Sequence, residues 1–168
     1  MLTQCELKEL LNYDRETGIF TWKVNGSKGV KAGRVAGFNV RGYRQVSIRN
    51  KNYYLHRLAW LYVFGISPTR DIDHINRVKN DNRILNLREV DESTNSENQT
   101  KPHSTNKSGA IGVTIRKTDG KYRAIIRVKG KNMHLGYFVN VEDAETAYLK
   151  AKKLYHRGYV CEHERLAA

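Results

Sequence analysis

One stretch limits what this chain can fold into more than any other: Asp71-Ile-Asp-His-Ile-Asn-Arg-Val-Lys-Asn-Asp-Asn-Arg-Ile-Leu-Asn-Leu-Arg-Glu-Val90, continued by Asp91-Glu-Ser-Thr-Asn-Ser-Glu-Asn98. A short apolar alternation ends on the adjacent acid and imidazole of Asp73 and His74. A turn-rich loop of Asn and Arg follows. The chain returns through Leu85-Asn86-Leu87 and a brief Arg88-Glu89-Val90 strand, then enters a polar helix start carrying Asn95 and Asn98. Strand, loop, strand and helix make a compact frame that can aim several polar side chains at one point.

Neighbours on a strand point to opposite faces, so Asp73 and His74 serve one site only if the strand ends there and turns. A hard divalent cation takes oxygen ligands and keeps several waters, so one carboxylate and one amide oxygen suffice for Mg2+. A neutral imidazole beside it can take a proton from water, because its pKa lies near working pH. The ion stabilises charge on a phosphate oxygen and on the departing alkoxide. Acid, imidazole, amide and metal together suit phosphodiester hydrolysis. An Asp-His pair alone is usually a turn or a surface hydrogen bond; the whole run in order carries the reading.

The stretch resembles the HNH nuclease family, in the variant that ends with Asn instead of a last His. Asp73 and His74, then Asn86 in a Leu-Asn-Leu turn, then Asn95 on the following helix match its pattern in order. The resemblance implies that Asp73 and Asn95 hold the metal, with Asn98, one helical turn on, as the second choice for the amide. It implies that His74 is the general base and that Asn86 pins the loop through backbone hydrogen bonds. The implied fold is the ββα-metal core, and the implied cofactor is Mg2+ or Mn2+.

The placement of charge adds to this. The 168 residues carry a net charge of +13. Residues 1–50 hold 9 basic against 4 acidic side chains, residues 51–100 hold 7 against 7, and residues 101–160 hold 13 against 4. A neutral centre between basic arms fits a long polyanion gripped on both sides, although basicity also serves plain solubility. Cys5 and Cys161 lie near opposite ends and form no metal-binding pair, so zinc is not expected, and such usage suits a reducing cytoplasm. No apolar run approaches the roughly 20 residues that cross a bilayer, and the N-terminus lacks the blocks of a signal peptide.

Taken in order, Thr3-Gln-Cys-Glu6 reads as a capping box for a short helix with Leu7, Leu10 and Leu11 on one side. Asp14 to Gly18 is a turn into a strand at Ile19 to Val24, and Asn25 to Gly33 is a loop. Tyr43 to Arg49 alternates well, and with a turn at Asn50-Lys-Asn52 it predicts a hairpin with Tyr53-Tyr54-Leu55. A helix runs from about His56 to Phe64 and ends at Gly65. His56 is read as a buried supporting residue or, alternatively, as a phosphate contact or a residue that backs the catalytic side chains. Arg57 is assigned to nucleic acid. For the other Arg and Lys residues between 23 and 51, a solvated face and a phosphate track fit nearly equally.

Thr100 to Gly109 reads as a linker, with a boundary near residue 105. Beyond it, strands at Ile111 to Arg116, Tyr122 to Val128 and Met133 to Phe138 precede a periodic helix capped by Asn140. Its stripe is Val141, Ala144, Ala147, Tyr148, Ala151, Leu154 and Tyr155; Glu142 and Asp143 begin it, and Lys152, Lys153 and Arg157 end it before Gly158. The pleat turns Tyr122, Ala124, Ile126 and Val128 onto the helix and leaves Arg123, Ile125 and Arg127 in front, with Thr114, Arg116 and His134 beside them. Such a sheet can enter a major groove, where Arg reads guanine. Gly112-Val113, Gly120-Lys121-Tyr122, Ala124, Ile126-Arg127, Leu135-Gly136-Tyr137-Phe138 and the Glu-Asp-Ala-Glu-Thr-Ala-Tyr helix resemble the plant APETALA-type DNA-binding domain. The family often has Arg at the Thr114 position and Glu at the Ile125 position, so its preferred DNA sequence does not carry over.

The expectation is an α+β protein. An N-terminal α/β module and the nuclease core occupy residues 1–104, with the core at about 53–100. An APETALA-like domain follows at 105–160 and a tail at 161–168, where Glu162-His163-Glu164 is assigned no metal. Together the segments resemble a phage-type HNH endonuclease of the homing kind, acting on double-stranded DNA in the cytoplasm of a host cell, as a monomer or a homodimer. The rival from another class is a sequence-specific DNA-binding protein with a decayed nuclease centre. RNA binding fits less well, because no aromatic base-stacking platform is evident.

Overall fold

The computed structural model describes residues 2–26 and 29–159 and shows a mixed α+β chain. The tail at 161–168, including Cys161, lies outside the described residues. Two compact units divide between Glu92 and Ser93.

The first unit starts with α1, Gln4–Leu10. The capping box forms as its sequence predicts: Glu6 N donates to Thr3 Oγ1 at 3.2 Å and Thr3 N donates to Glu6 Oε2 at 2.9 Å. β1 (Leu11–Tyr13) pairs antiparallel with β2 (Phe20–Trp22). β3 (Phe38–Val40), β4 (Tyr43–Ile48) and β5 (Lys51–Tyr54) form a three-stranded antiparallel sheet with β4 in the middle. Arg49 and Asn50 both have positive φ, 51° and 62°, so the β4–β5 connection is a tight two-residue turn ending two residues earlier than the sequence predicts. The strands β1 and β3 were not anticipated; three residues are too few to show a period.

Helix α2, Leu55–Phe64, runs through the middle of this unit. Leu55, Leu58, Ala59 and Leu61 are buried among Leu7, Leu11, Phe20, Val46, Ile72 and Leu87, which draws residues from both ends of the unit into one core. Each fully buried Leu or Phe contributes about 1.5–3 kcal/mol, so the N-terminal segment and the hairpin at 71–90 stabilise one another. Gly65, at φ 77°, closes α2 in the left-handed conformation, with its N–H on the Leu61 carbonyl.

The hairpin consists of β6 (Asp71–His74), a 3-10 turn at Ile84–Asn86 and β7 (Leu87–Val90). Its register sets Asp71 opposite Val90, Asp73 opposite Arg88 and His74 opposite Leu87.

The second unit contains α3 (Glu92–Glu97) from its second residue on, β8 (Val113–Ile115), β9 (Tyr122–Val128), β10 (Lys131–Phe138) and α4 (Val141–Tyr155). The strands are antiparallel with β9 central. Ala110, Val113, Ala124, Ile126, Ala144, Tyr148 and Ala151 pack between sheet and α4. Gly112 sits at φ 70° against Tyr148, where an added Cβ would lie 2.0 Å from the ring; only glycine fits. Compact packing begins at Ser93, so the boundary expected near residue 105 falls inside this unit. Gly158 N donates to Glu97 Oε2, and Lys152 Nζ donates to the Gln99 carbonyl, which ties α3 to the end of α4. Within the expected linker, Asn106 Nδ2 donates to the carbonyls of Ala110 and Val113.

Two features of α4 depart from the expected stripe. Lys152 is buried and Leu154 is 76% exposed. The Lys152 stem follows apolar surface while its ammonium reaches the Gln99 carbonyl, a pairing no period in the sequence reveals. Among the described residues, no helix is long and apolar enough to cross a membrane.

Candidate active site

Strand β6 ends at His74, and the chain turns at once: Arg77 N donates to the His74 carbonyl, and Ile75 N donates to that of Asn86. The strand ends and the chain turns directly after His74, which is the condition under which an adjacent acid and imidazole can serve one site. Asp73 is 8% exposed and His74 4%, so both lie inside the protein surface.

The polar loop between the strands is a fixed hydrogen-bonded web. Asn86, fully buried, accepts from Asn76 N at 2.9 Å through Oδ1 and donates from Nδ2 to the Asp81 carbonyl at 2.8 Å. Its carboxamide therefore ties the beginning of the loop to its end. Asp81 takes Arg83 Nε at 2.9 Å and Asn76 Nδ2 at 2.6 Å, and these bonds hold its carboxyl below the usual value, the Arg83 contact most strongly.

Two partners of the central pair were not singled out by sequence reasoning. Arg88, opposite Asp73 in register, donates Nε and Nη2 to Asp73 Oδ2 at 3.0 and 2.8 Å. Asn82, 1% exposed, places Oδ1 3.2 Å from His74 Nε2. Arg88 becomes visible once the strand register is known, because opposite charges then face each other across the ladder. Asn82 carries no such signal among its many Asn neighbours.

Burial pushes the His74 imidazole below its ordinary pKa of 6.5, although the Asn82 contact pulls the other way. The ring is therefore neutral at neutral pH, the form a general base needs. Around it lie the rings of His56, at 5.2 Å between centroids, and Tyr43, at 6.0 Å, and Lys79 Nζ sits 4.7 Å over the Tyr43 ring.

His56 is buried at the start of α2 and stacks on Tyr54; of the two readings open in the sequence, its surroundings match the supporting one. Burial drives its pKa down to about 3, helped by His74 and Arg57. Between pH 6.5 and about 3 the unfolded chain therefore takes up a proton that the folded chain refuses, so stability falls as pH falls through this window, by less than about 1.4 kcal/mol per pH unit. Replacing His56 with Leu should flatten that slope in urea melts, so that wild type loses stability relative to the variant as pH falls.

Arg57 donates Nη2 to the Pro68 carbonyl at 2.8 Å and Nη1 to that of Arg70 at 3.1 Å, holding the approach to β6. Asn95, half-buried on α3, and Asn98, buried just beyond it, belong to the second unit, and one residue, Asp91, separates β7 from α3.

The front of the second unit's sheet is basic. Arg123 and Arg127 are exposed on β9, alternating with buried Ala124 and Ile126. Thr114 pairs with Arg123, and His134 pairs with Ile125. A bulge between His134 and Gly136 brings Tyr137 to the exposed side as well, 4.5 Å from the His134 ring. Arg116 lies 4.6 Å over the Tyr137 ring and 3.5 Å from Asp119.

As a ligand, Asp73 offers a carboxylate, the kind of oxygen donor that a hard cation such as Mg2+ prefers. Among the described residues, no group of three or more His, Cys, Asp or Glu side chains could hold an ion alone. A small donor set fits an ion that fills its shell with water and substrate phosphate.

The family model for HNH endonuclease matches residues 53–99, a span that covers half of β5, all of α2 and the hairpin, and α3. That match, confined to this part of the chain, supports a nuclease of HNH type. No curated protein and no solved structure matched the chain.

Proposed function

We propose that this chain is a metal-dependent DNA endonuclease in which His74 is the general base and Asp73 and Asn95 hold one divalent ion, with Asn98 as the other choice of amide. The observation that carries the reading is a buried, neutral His74 beside Asp73 at the end of a strand, on a hairpin whose loop Asn86 ties shut, inside the span that matches the nuclease family.

In this reading His74 removes a proton from a water whose oxygen attacks phosphorus. The P–O3′ bond breaks, the 3′ oxygen gains a proton, and the phosphate stays on the 5′ side. When bound, the ion stabilises charge on the phosphate and on the leaving oxygen. Asp73 is held in place by Arg88, which fixes the carboxylate and moderates its charge. Arg57 steadies the chain entering β6; its assigned contact with nucleic acid belongs to this proposal as a second role. The product ends give the test. Nicks left as 5′-phosphate and 3′-hydroxyl are resealed by DNA ligase without prior treatment, whereas ends that ligase cannot seal would contradict this chemistry.

Affinity and placement come from the basic sheet, through Arg116, Arg123, Arg127, Thr114 and His134. Replacing Arg123 and Arg127 together with Ala should weaken DNA binding about 10- to 100-fold and reduce the slope of log affinity against log salt by about 1–2. Titrations at several salt concentrations read both effects, and cleavage at saturating DNA should change little.

A further inference from the structure

The environment of His74 Nε2 carries an inference that rests on the nuclease reading but can be tested apart from it. We propose that Asn82 is a positioning residue: its Oδ1 accepts the Nε2 hydrogen of His74, so the neutral imidazole is held as the Nε2–H tautomer with its lone pair on Nδ1, and the N-terminal segment holds Asn82 in place. The ring nitrogen that takes the proton from water is then Nδ1.

Three observations carry this. The His74–Asn82 contact is 3.2 Å and buried, and Asn82 is 1% exposed. A neutral imidazole has one donor and one acceptor nitrogen, so the bond at one nitrogen decides the role of the other. Second, Asn82 Nδ2 is buried and has no hydrogen-bond partner among the described residues. A buried polar group left so is destabilising, and Leu would fill the same space without that penalty. The oxygen on His74 is what the amide supplies and Leu would not.

Third, Asn82 is clamped from a distant part of the chain. Tyr13 Oη donates to the Asn82 carbonyl at 2.6 Å inside the core. Gly18, at φ 71°, presses on the same backbone: an added Cβ would lie 2.4 Å from Arg83 N and 2.5 Å from the Asn82 carbonyl carbon. The segment Tyr13 to Gly18 thus works as a buttress for the loop that carries Asn82. That gives the N-terminal part of the chain a role in placing the base, whatever its basic residues do on DNA.

The test uses the full chain labelled with 15N-histidine, with the His74 signals identified by their loss in His74→Gln. At pH 8 the His74 ring should show its proton on Nε2. In Asn82→Leu that preference should vanish, and kcat for DNA cleavage should fall about 10- to 100-fold with KM unchanged. Asn82→Asp, which keeps an acceptor oxygen in the same shape, should restore the Nε2–H form and recover most of kcat relative to the Leu variant. A wild-type ring carrying its proton on Nδ1 overturns the proposal with no mutant needed. So does an Asn82→Leu protein that keeps both the tautomer and kcat. A wild-type protein that holds the Nε2–H form but cuts no DNA with any divalent metal overturns the nuclease reading and leaves the positioning contact standing.

Discussion

Replacing His74 with Ala is expected to slow DNA cleavage by about 10²- to 10⁴-fold while DNA affinity stays within about twofold of wild type. The imidazole is buried and neutral, one nitrogen faces Asn82 and the ring lies beside Asp73, so its removal takes away the proton acceptor. Neither the basic sheet nor the approach to β6 contributes its charge through this ring, and binding should survive. The pH profile gives an independent sign. Because burial sets the folded pKa of His74 below 6.5, cleavage by wild type should hold as pH falls from 8 to 6.5 and drop only below that, as the ring gains a proton and stops acting as a base. An acid limb centred well above 6.5 would contradict the assignment of His74. Melting curves of the variant separate lost chemistry from lost folding, since the vacated space is one imidazole at the end of β6.

Replacing Asp73 with Ala should have the second largest effect, and on two quantities at once. Cleavage falls by about 10²-fold or more because the carboxylate that holds the ion is gone. Stability falls by about 2–3 kcal/mol because Arg88 loses the acceptor of its Nε and Nη2 groups. This is less than for a fully buried pair, since the side chains are 10% and 25% exposed. The two effects separate in a double variant. Adding Arg88→Leu to Asp73→Ala should recover most of the stability and none of the cleavage. Recovery of cleavage in the double variant would make Asp73 a structural partner of Arg88 and nothing more. Urea melts and a plasmid cleavage assay on four proteins decide it.

Local rules carried much of this architecture. The Thr3–Glu6 box, the Gly65 stop and the two-faced β9 strand each follow from interactions within a few residues, and sequence alone is enough to read such interactions. The pairing of Asp73 with Arg88 depends on the hairpin register, fixed by a loop of irregular length that no period describes. The contact between Asn82 and His74 depends on a web of Asn and Asp bonds in which every residue is of a type that also makes ordinary turns. The clamp from Tyr13 and Gly18 spans more than sixty positions in the chain and leaves no local trace. The burial of Lys152 runs against its residue type, because its partner is a backbone carbonyl fifty-three positions away. Within one strand or helix the residues spoke for themselves; partners brought together by tertiary packing did not.

The most direct test of the central claim is incubation of the purified chain with supercoiled plasmid and Mg2+ or Mn2+, with and without EDTA. Conversion to nicked or linear DNA that EDTA stops is the result the account predicts. Tight plasmid binding with no conversion under any divalent metal would contradict it and leave a DNA-binding protein whose hairpin does not cut.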